Sequence, residues 1–152
     1  MSEKLITKNR KALFNYELLE HFEAGLVLSG TEVKSLRSGR ANLGDSYVVP
    51  RGEELFLVNC HISPYEPASR MNHEPLRSRK LLLQRAEINK ILGRVRERGL
   101  ALIPIRLYFK AGRAKVEIAL AKGKKLFDKR EDLRKKDHRR EMERALKRKK
   151  RD

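Results

Sequence analysis

Apolar residues along the chain follow two periods, and the clearest period-two stretches lie late. Ile103, Ile105, Leu107 and Phe109 alternate with Pro104, Arg106, Tyr108 and Lys110. Beyond Ala111-Gly112-Arg113, the residues Val116, Ile118 and Leu120 alternate with Lys115, Glu117 and Ala119. The two runs predict an antiparallel hairpin with one apolar face. A helical period precedes them: Ile88, Ile91, Leu92 and Val95 recur at i, i+3, i+4 and i+7, which predicts a helix over 85–98 stopped by Gly99. Residues 9–28 read as one or two strands through Phe14, Tyr16, Phe22 and the run Gly25-Leu26-Val27-Leu28. Thr31 stands where it would N-cap a short helix over 32–37, which Gly39 would end. Strand-like segments at 45–49 and 55–62 flank a turn at 50–54, and 63–79, with Pro64, Pro67 and Pro75, reads as a loop.

Five or six short strands with one long and one short helix predict a mainly β domain over residues 1–123. A small OB-type antiparallel barrel is the natural candidate, because its edges commonly carry nucleic acid. Both periods stop after that. Residues 122–152 hold 16 basic and 7 acidic residues, and their large apolar side chains are Leu126, Phe127, Leu133, Met142 and Leu146. Five such side chains do not offset a backbone ordering cost of roughly 1–2 kcal/mol per residue. Residues 124–152 are therefore expected to be a basic tail, disordered in isolation. Glu131 with Lys135, Asp132 with Lys136, and Glu143 with Lys147 are acid-first i, i+4 pairs, so the tail is also a conditional helix.

Charge turns this outline towards a partner. Lys and Arg number 37 against 20 Asp and Glu, a net charge of +17, and a polyanion gains counterion-release energy on such a surface. Nucleic acid fits better than a membrane, because no stretch pairs a long apolar face with a basic one. The N-terminal residues lack the apolar core of a secretion signal, and the run Leu100 to Ile105 is too short to span a bilayer. A soluble, cytoplasmic monomer without membrane contact is expected. Cys60 is the single cysteine, set in an apolar run where a buried, inert thiol is the ordinary outcome.

Catalytic and cofactor chemistry is thinly represented. His21, His61, His73 and His138 are scattered, none at metal-ligand spacing from Cys60. Gly123-Lys124-Lys125 lacks the upstream glycine and the Ser/Thr of a phosphate-binding loop. No metal, no cofactor and no enzymatic activity are expected. The enzymatic alternative is a metal-free nuclease using His21 or His61 with a lysine, for which the acid–base signal is no stronger than in any basic protein. RNA contacts, in contrast, have candidates: Asn9, Arg10 and Lys11 open the domain, Lys34 and Arg37 flank the first helix, Arg79 and Lys80 precede the long one, and Lys122, Lys124 and Lys125 close the last strand. Each is also consistent with a solvated face. Aromatic residues make up 6% of the chain, too few for a stacking platform, which favours recognition of a structured RNA by shape and phosphate contact.

Several motifs in order strengthen that reading. Residues Phe22-Glu23-Ala24-Gly25-Leu26-Val27-Leu28-Ser29-Gly30-Thr31-Glu32-Val33-Lys34-Ser35-Leu36-Arg37, then Asp45-Ser46-Tyr47-Val48, Arg79-Lys80-Leu81-Leu82-Leu83, Ala121-Lys122-Gly123-Lys124-Lys125 and Asp128-Lys129-Arg130 resemble the small protein B family of bacterial tmRNA-binding (SsrA-binding) proteins. The resemblance implies an OB-type barrel that binds the tRNA-like domain of tmRNA. It also implies action in trans-translation on stalled ribosomes, the tail probing the empty mRNA channel beside small-subunit RNA. Elongation factor Tu and alanyl-tRNA synthetase would be indirect partners, through tmRNA. By motif, Asn9, Glu23 and Leu82 match positions tied to tmRNA binding. Glu23 would either accept from base amino groups or brace neighbouring cations, and Leu82 would either touch RNA or be plain core. Phe127, Asp128, Lys129 and Arg130 match the segment that works in the decoding region. Phe127 departs from the more usual Tyr or His; a stacking ring survives that change, whereas a hydroxyl or imidazole hydrogen bond does not.

Overall fold

The computed structural model describes residues 3–68, 71–123, 136 and 138–145, with the backbone alone at 97 and 98. Two compact units emerge, residues 1–122 and residues 123–152. Within the first run β1 (Glu3–Lys8), α1 (Arg10–Asn15), β2 (Tyr16–Leu26), α2 (Gly30–Arg37), β3 (Ala41–Asn42), β4 (Tyr47–Arg51), β5 (Glu54–Val58), β6 (His61–Ile62), a 3-10 turn (Glu66–Ala68), β7 (Arg79–Leu82), α3 (Arg85–Arg98), β8 (Ala101–Lys110) and β9 (Arg113–Gly123). Neighbouring strands run β8-β4-β5-β7-β2-β9, and β9 pairs back onto β8. The ring is thus a closed barrel, which leaves few exposed strand edges. β1 joins β8 outside the ring, and β3 and β6 form a separate ribbon. The mainly β class expected from the sequence holds.

The hairpin and the long helix form where the two periods put them. The β8–β9 turn carries Ala111 at φ 52° and Gly112 at φ 75°, the left-handed pair that suits a tight hairpin. Helix α3 buries Ile88 and Ile91 and ends on Gly99 at φ 62°, which satisfies a terminal carbonyl through its N–H to Val95.

The alternation along β8 is broken, however, and one expected face becomes two. Pro104 pairs with Ile118 and Arg106 with Glu117, so Ile105 is a bulge without its own partner. One extra residue reverses the side-chain phase. Leu102 and Leu107, at odd spacing, both enter the main core with Phe22, Leu55, Leu57, Leu81, Val116, Ile118 and Leu120. Ile103 and Ile105 instead join Ala12, Ala119 and Ala121 in a second small core.

Helix α1 covers that second core, and it corrects the strand expected from residue 9 onward. Asn9 starts it: its side-chain oxygen accepts from the Ala12 N–H at 3.2 Å, its amide donates to the Pro104 carbonyl at 2.9 Å, and its backbone N–H reaches Ile105 O at 2.7 Å. One buried residue therefore caps the helix and holds both carbonyls at the bulge, Pro104 through its side-chain amide and Ile105 through its backbone N–H. The signal was polar and local, outside any hydrophobic period. Three smaller expectations also shift: Ser29, not Thr31, caps α2; residues 55–62 divide at Asn59, whose φ is 62°; and Arg79 begins a strand instead of ending a loop.

In the second unit residues 136 and 138–145 are helical, with exposed side chains. Residues 124–135 lie outside the described residues, and with them the expected contacts of Lys124, Lys125, Phe127, Asp128, Lys129 and Arg130. Each of the three tail pairs includes a residue outside that set.

Candidate nucleic-acid interface

Strand β2 meets β7 with Gly25 opposite Leu82 and Leu26 opposite Leu81. Leu81 is buried, but Leu82 points out and is 52% exposed, so it is not plain core. Space at Gly25 is tight: a Cβ there would lie 3.3 Å from Leu82 Cβ and 3.7 Å from Lys115 Nζ. The missing side chain opens a groove of about 290 Å³ lined by Gly25, Val33, Leu82, Phe109, Arg113 and Lys115. An apolar floor with cations at its rim suits a flat base flanked by phosphate.

Glu23 stands two residues before Gly25 and has partners within the barrel. Its Oε2 accepts from the Tyr108 hydroxyl at 2.7 Å and from Lys110 Nζ at 3.2 Å. The Tyr108 hydrogen bond, outweighing partial burial, holds the carboxyl below the usual carboxylate range. Burial and this same contact push the Tyr108 phenol well up. Glu23 thus braces a cation and a tyrosine, and its side chain stays partly exposed.

Asn9, Arg10 and Lys11 gather elsewhere along β8. Asn9 contacts Pro104 and Ile105, whereas Glu23 contacts Tyr108 and Lys110. Asn9 is itself buried, and Arg10 and Lys11 are exposed, Lys11 lying 3.5 Å from Asp45. Asn9 and Lys11 border a polar cleft of about 460 Å³ with Asn15, Ser46 and Tyr47. Lys34 and Arg37 are exposed in the last turn of α2, Lys80 is half-buried and 3.9 Å from Glu54, and Lys122 is exposed.

Arg79 is the correction. It was expected to reach RNA, yet its side chain is 0% exposed and all its partners are internal. Its Nε donates to Glu32 Oε2, and its terminal nitrogens donate to the carbonyls of Cys60 and Pro75. Glu32 also accepts from Arg77 at 2.5 Å and from the Ser29 N–H at 2.8 Å, completing a capping box with Ser29. Burial would raise the Glu32 carboxyl, but the bonds from Arg77, Ser29 and Arg79 outweigh it and hold it at about 2. Local spacing gives no hint of this pair, because 47 residues separate its members.

Sequence reasoning missed Lys110, Arg113 and Lys115. Their signal was present, since they occupy the polar positions and the turn of the β8–β9 hairpin, but the pattern had been used only to find the apolar face. His21 lies 3.8 Å from Glu117 and His61 is exposed on β6. Cys60 is fully buried and its thiol is pushed up to about 11 by that burial. Among the described residues no group of three His, Cys, Asp or Glu side chains is arranged to hold a metal, and no helix is long and apolar enough to cross a membrane.

Comparison with known proteins adds a consistent set of likenesses. Residues 6–148 match the family model described as SmpB protein. An SsrA-binding protein of Pelobacter propionicus is 59% identical over 152 residues, covering 100% of both chains. That of Geobacter metallireducens is 59% identical over 146 residues, 96% of this chain and 95% of the relative. A solved structure described as "tmRNA-SmpB: a journey to the center of the bacterial ribosome" superposes with a TM-score of 0.66 at 47% identity, covering 79% of this chain and 85% of the other.

Proposed function

This chain belongs to the SmpB protein family, and from that premise we propose that it binds the tRNA-like domain of tmRNA and delivers it to stalled ribosomes in trans-translation. The observation that carries the reading is the match across residues 6–148, which takes in both the barrel and the tail. The barrel chooses the RNA. Leu82 and Gly25 give the groove its floor, Arg113, Lys115 and the Glu23-braced Lys110 supply positive charge, and Arg10, Lys11, Lys80 and Lys122 add phosphate contacts. Asn9 acts by holding α1 and the β8 bulge in place, not by touching RNA. The tail, with Phe127, Asp128, Lys129 and Arg130 at its head, works in the decoding region and along the empty mRNA channel. Elongation factor Tu and alanyl-tRNA synthetase meet the protein through tmRNA. The protein acts in the cytoplasm as a monomer, without catalysis.

The test uses truncation. A chain ending at Lys125 should bind the tRNA-like domain with the affinity of the full chain, the affinity falling steeply with salt, yet support no tagging of stalled peptides. Loss of RNA binding on truncation would refute this division of labour.

A further inference from the structure

A third cleft lies apart from both clusters above. It has about 280 Å³, opens between the C-terminal part of α2 and the segment after β6, and is lined by Ser35, Ser38, Arg40, Pro64, Tyr65 and Glu66. The surrounding backbone is fixed. Ser35 Oγ donates to the Ser63 carbonyl at 2.5 Å, and the Ser63 N–H donates to the Arg40 carbonyl at 3.0 Å. Asn72 clamps Tyr65 from both sides, accepting from its N–H at 2.9 Å and donating to its carbonyl at 2.7 Å. The Tyr65 backbone is therefore held in place, and its side chain is half-buried with Lys34 Nζ 5.4 Å from the ring centroid.

The charges around this ring are uncommitted. Among the described residues Arg37 and Arg40 make no ion pair, and Lys34 has only its ring contact. By contrast Lys11, Lys80, Lys90, Arg85, Arg94, Arg106 and Lys110 each face a carboxylate. Among the described residues lining the cleft, Glu66 is the one acid. A half-buried aromatic ring with prolines beside it, unpaired guanidinium and ammonium groups, and a carboxylate with serine hydroxyls nearby make a defined set. It matches a base to stack, a phosphate to neutralise, and base amino or ribose hydroxyl groups to accept. A protein helix would need a broader apolar floor than one ring and its prolines provide.

We propose that the Tyr65–Arg40 cleft is an RNA subsite separate from the groove over Gly25 and from the Asn9 cleft, and that it takes one unpaired ribonucleotide with its base on Tyr65. It goes beyond the binding of the tRNA-like domain proposed above. The nucleotide comes either from ribosomal RNA or from a part of tmRNA outside its tRNA-like domain.

The full chain tests this with three probes: an oligouridylate hexamer, the isolated tRNA-like domain, and small ribosomal subunits. Tyr65→Ala should weaken hexamer binding about fivefold or more, whereas Tyr65→Phe keeps it. Arg40→Gln should lower the salt dependence of that binding by about one phosphate contact. Among the described residues Arg40 makes only backbone hydrogen bonds, so this variant reports even where Tyr65→Ala unfolds. Ultraviolet crosslinking of the hexamer should label the peptide containing Tyr65. A matching loss on small subunits assigns the nucleotide to ribosomal RNA; unchanged subunit binding with weaker binding of whole tmRNA assigns it to tmRNA. Parallel loss of tRNA-like-domain binding would overturn the separateness of the cleft. Unchanged hexamer affinity in both variants would overturn the subsite, and if subunit binding alone fell, the occupant would be a protein. Failure of tRNA-like-domain binding in the wild type would strike the proposed function instead.

Discussion

Glu32→Gln tests the electrostatics at the centre of the barrel domain. The substitution keeps volume and one acceptor oxygen but removes the charge opposite Arg79, whose side chain is 0% exposed. It also weakens the bonds from Arg77 and from the Ser29 N–H. The folded carboxyl titrates at about 2 against 4.5 for an unperturbed one, which corresponds to about 3 kcal/mol of stability. Removing one partner of a buried pair typically costs about 3–5 kcal/mol, because the other charge is left desolvated. The two routes agree. For a domain of this size the melting temperature should fall by roughly 10–15 °C.

The pH dependence sharpens the test. A carboxyl with a depressed folded pKa contributes fully above its unfolded value and loses that contribution as pH falls through the folded one. The stability gap between wild type and Glu32→Gln should therefore be constant from neutral pH down to about 4.5, then close towards pH 2. Urea unfolding followed by circular dichroism at several pH values measures it. A gap below about 1 kcal/mol at pH 7, or one that does not narrow in acid, would refute the assignment of Glu32 as an ionised, paired group.

Two further changes separate fold from recognition. Asn9→Ala removes the α1 cap and the donor to Pro104 O, so stability should fall by about 1–2 kcal/mol, with RNA affinity falling in parallel; a melting curve unchanged from wild type would show that the bulge holds without it. Gly25→Val puts a side chain into the groove against Leu82 and Lys115, so affinity for the tRNA-like domain should drop about tenfold or more, near 1.4 kcal/mol, by more than the change in the melting curve accounts for. Full affinity in that variant would remove the groove from the interface.

The legible part of the protein was the part governed by near neighbours. Helix α3 and the β8–β9 hairpin were readable because their apolar spacing repeats within a few residues, and Gly99 and Gly112 mark their ends by a local backbone need. Glu23 and Leu82 were picked out by motif, but whether Glu23 met base amino groups or braced neighbouring cations, and whether Leu82 faced RNA or the core, was not. Leu82 points away from the core because it alternates with buried Leu81, and it faces Gly25 by a register between β2 and β7.

The sequence by itself determined the class: a β-rich domain, a strong positive charge, a basic tail and no dense catalytic chemistry. These follow from composition and short-range periodicity, which need no knowledge of which strand lies beside which. Tertiary structure alone decided that Arg79 is a strut and not a ligand for phosphate, that Ile105 is a bulge dividing one apolar face into two cores, and that Tyr65 stands beside Lys34 and Arg40. Each of those depends on a contact between residues far apart in the chain. Whether a guanidinium meets a carboxylate or water is settled by the fold that brings them together, not by the residue types themselves.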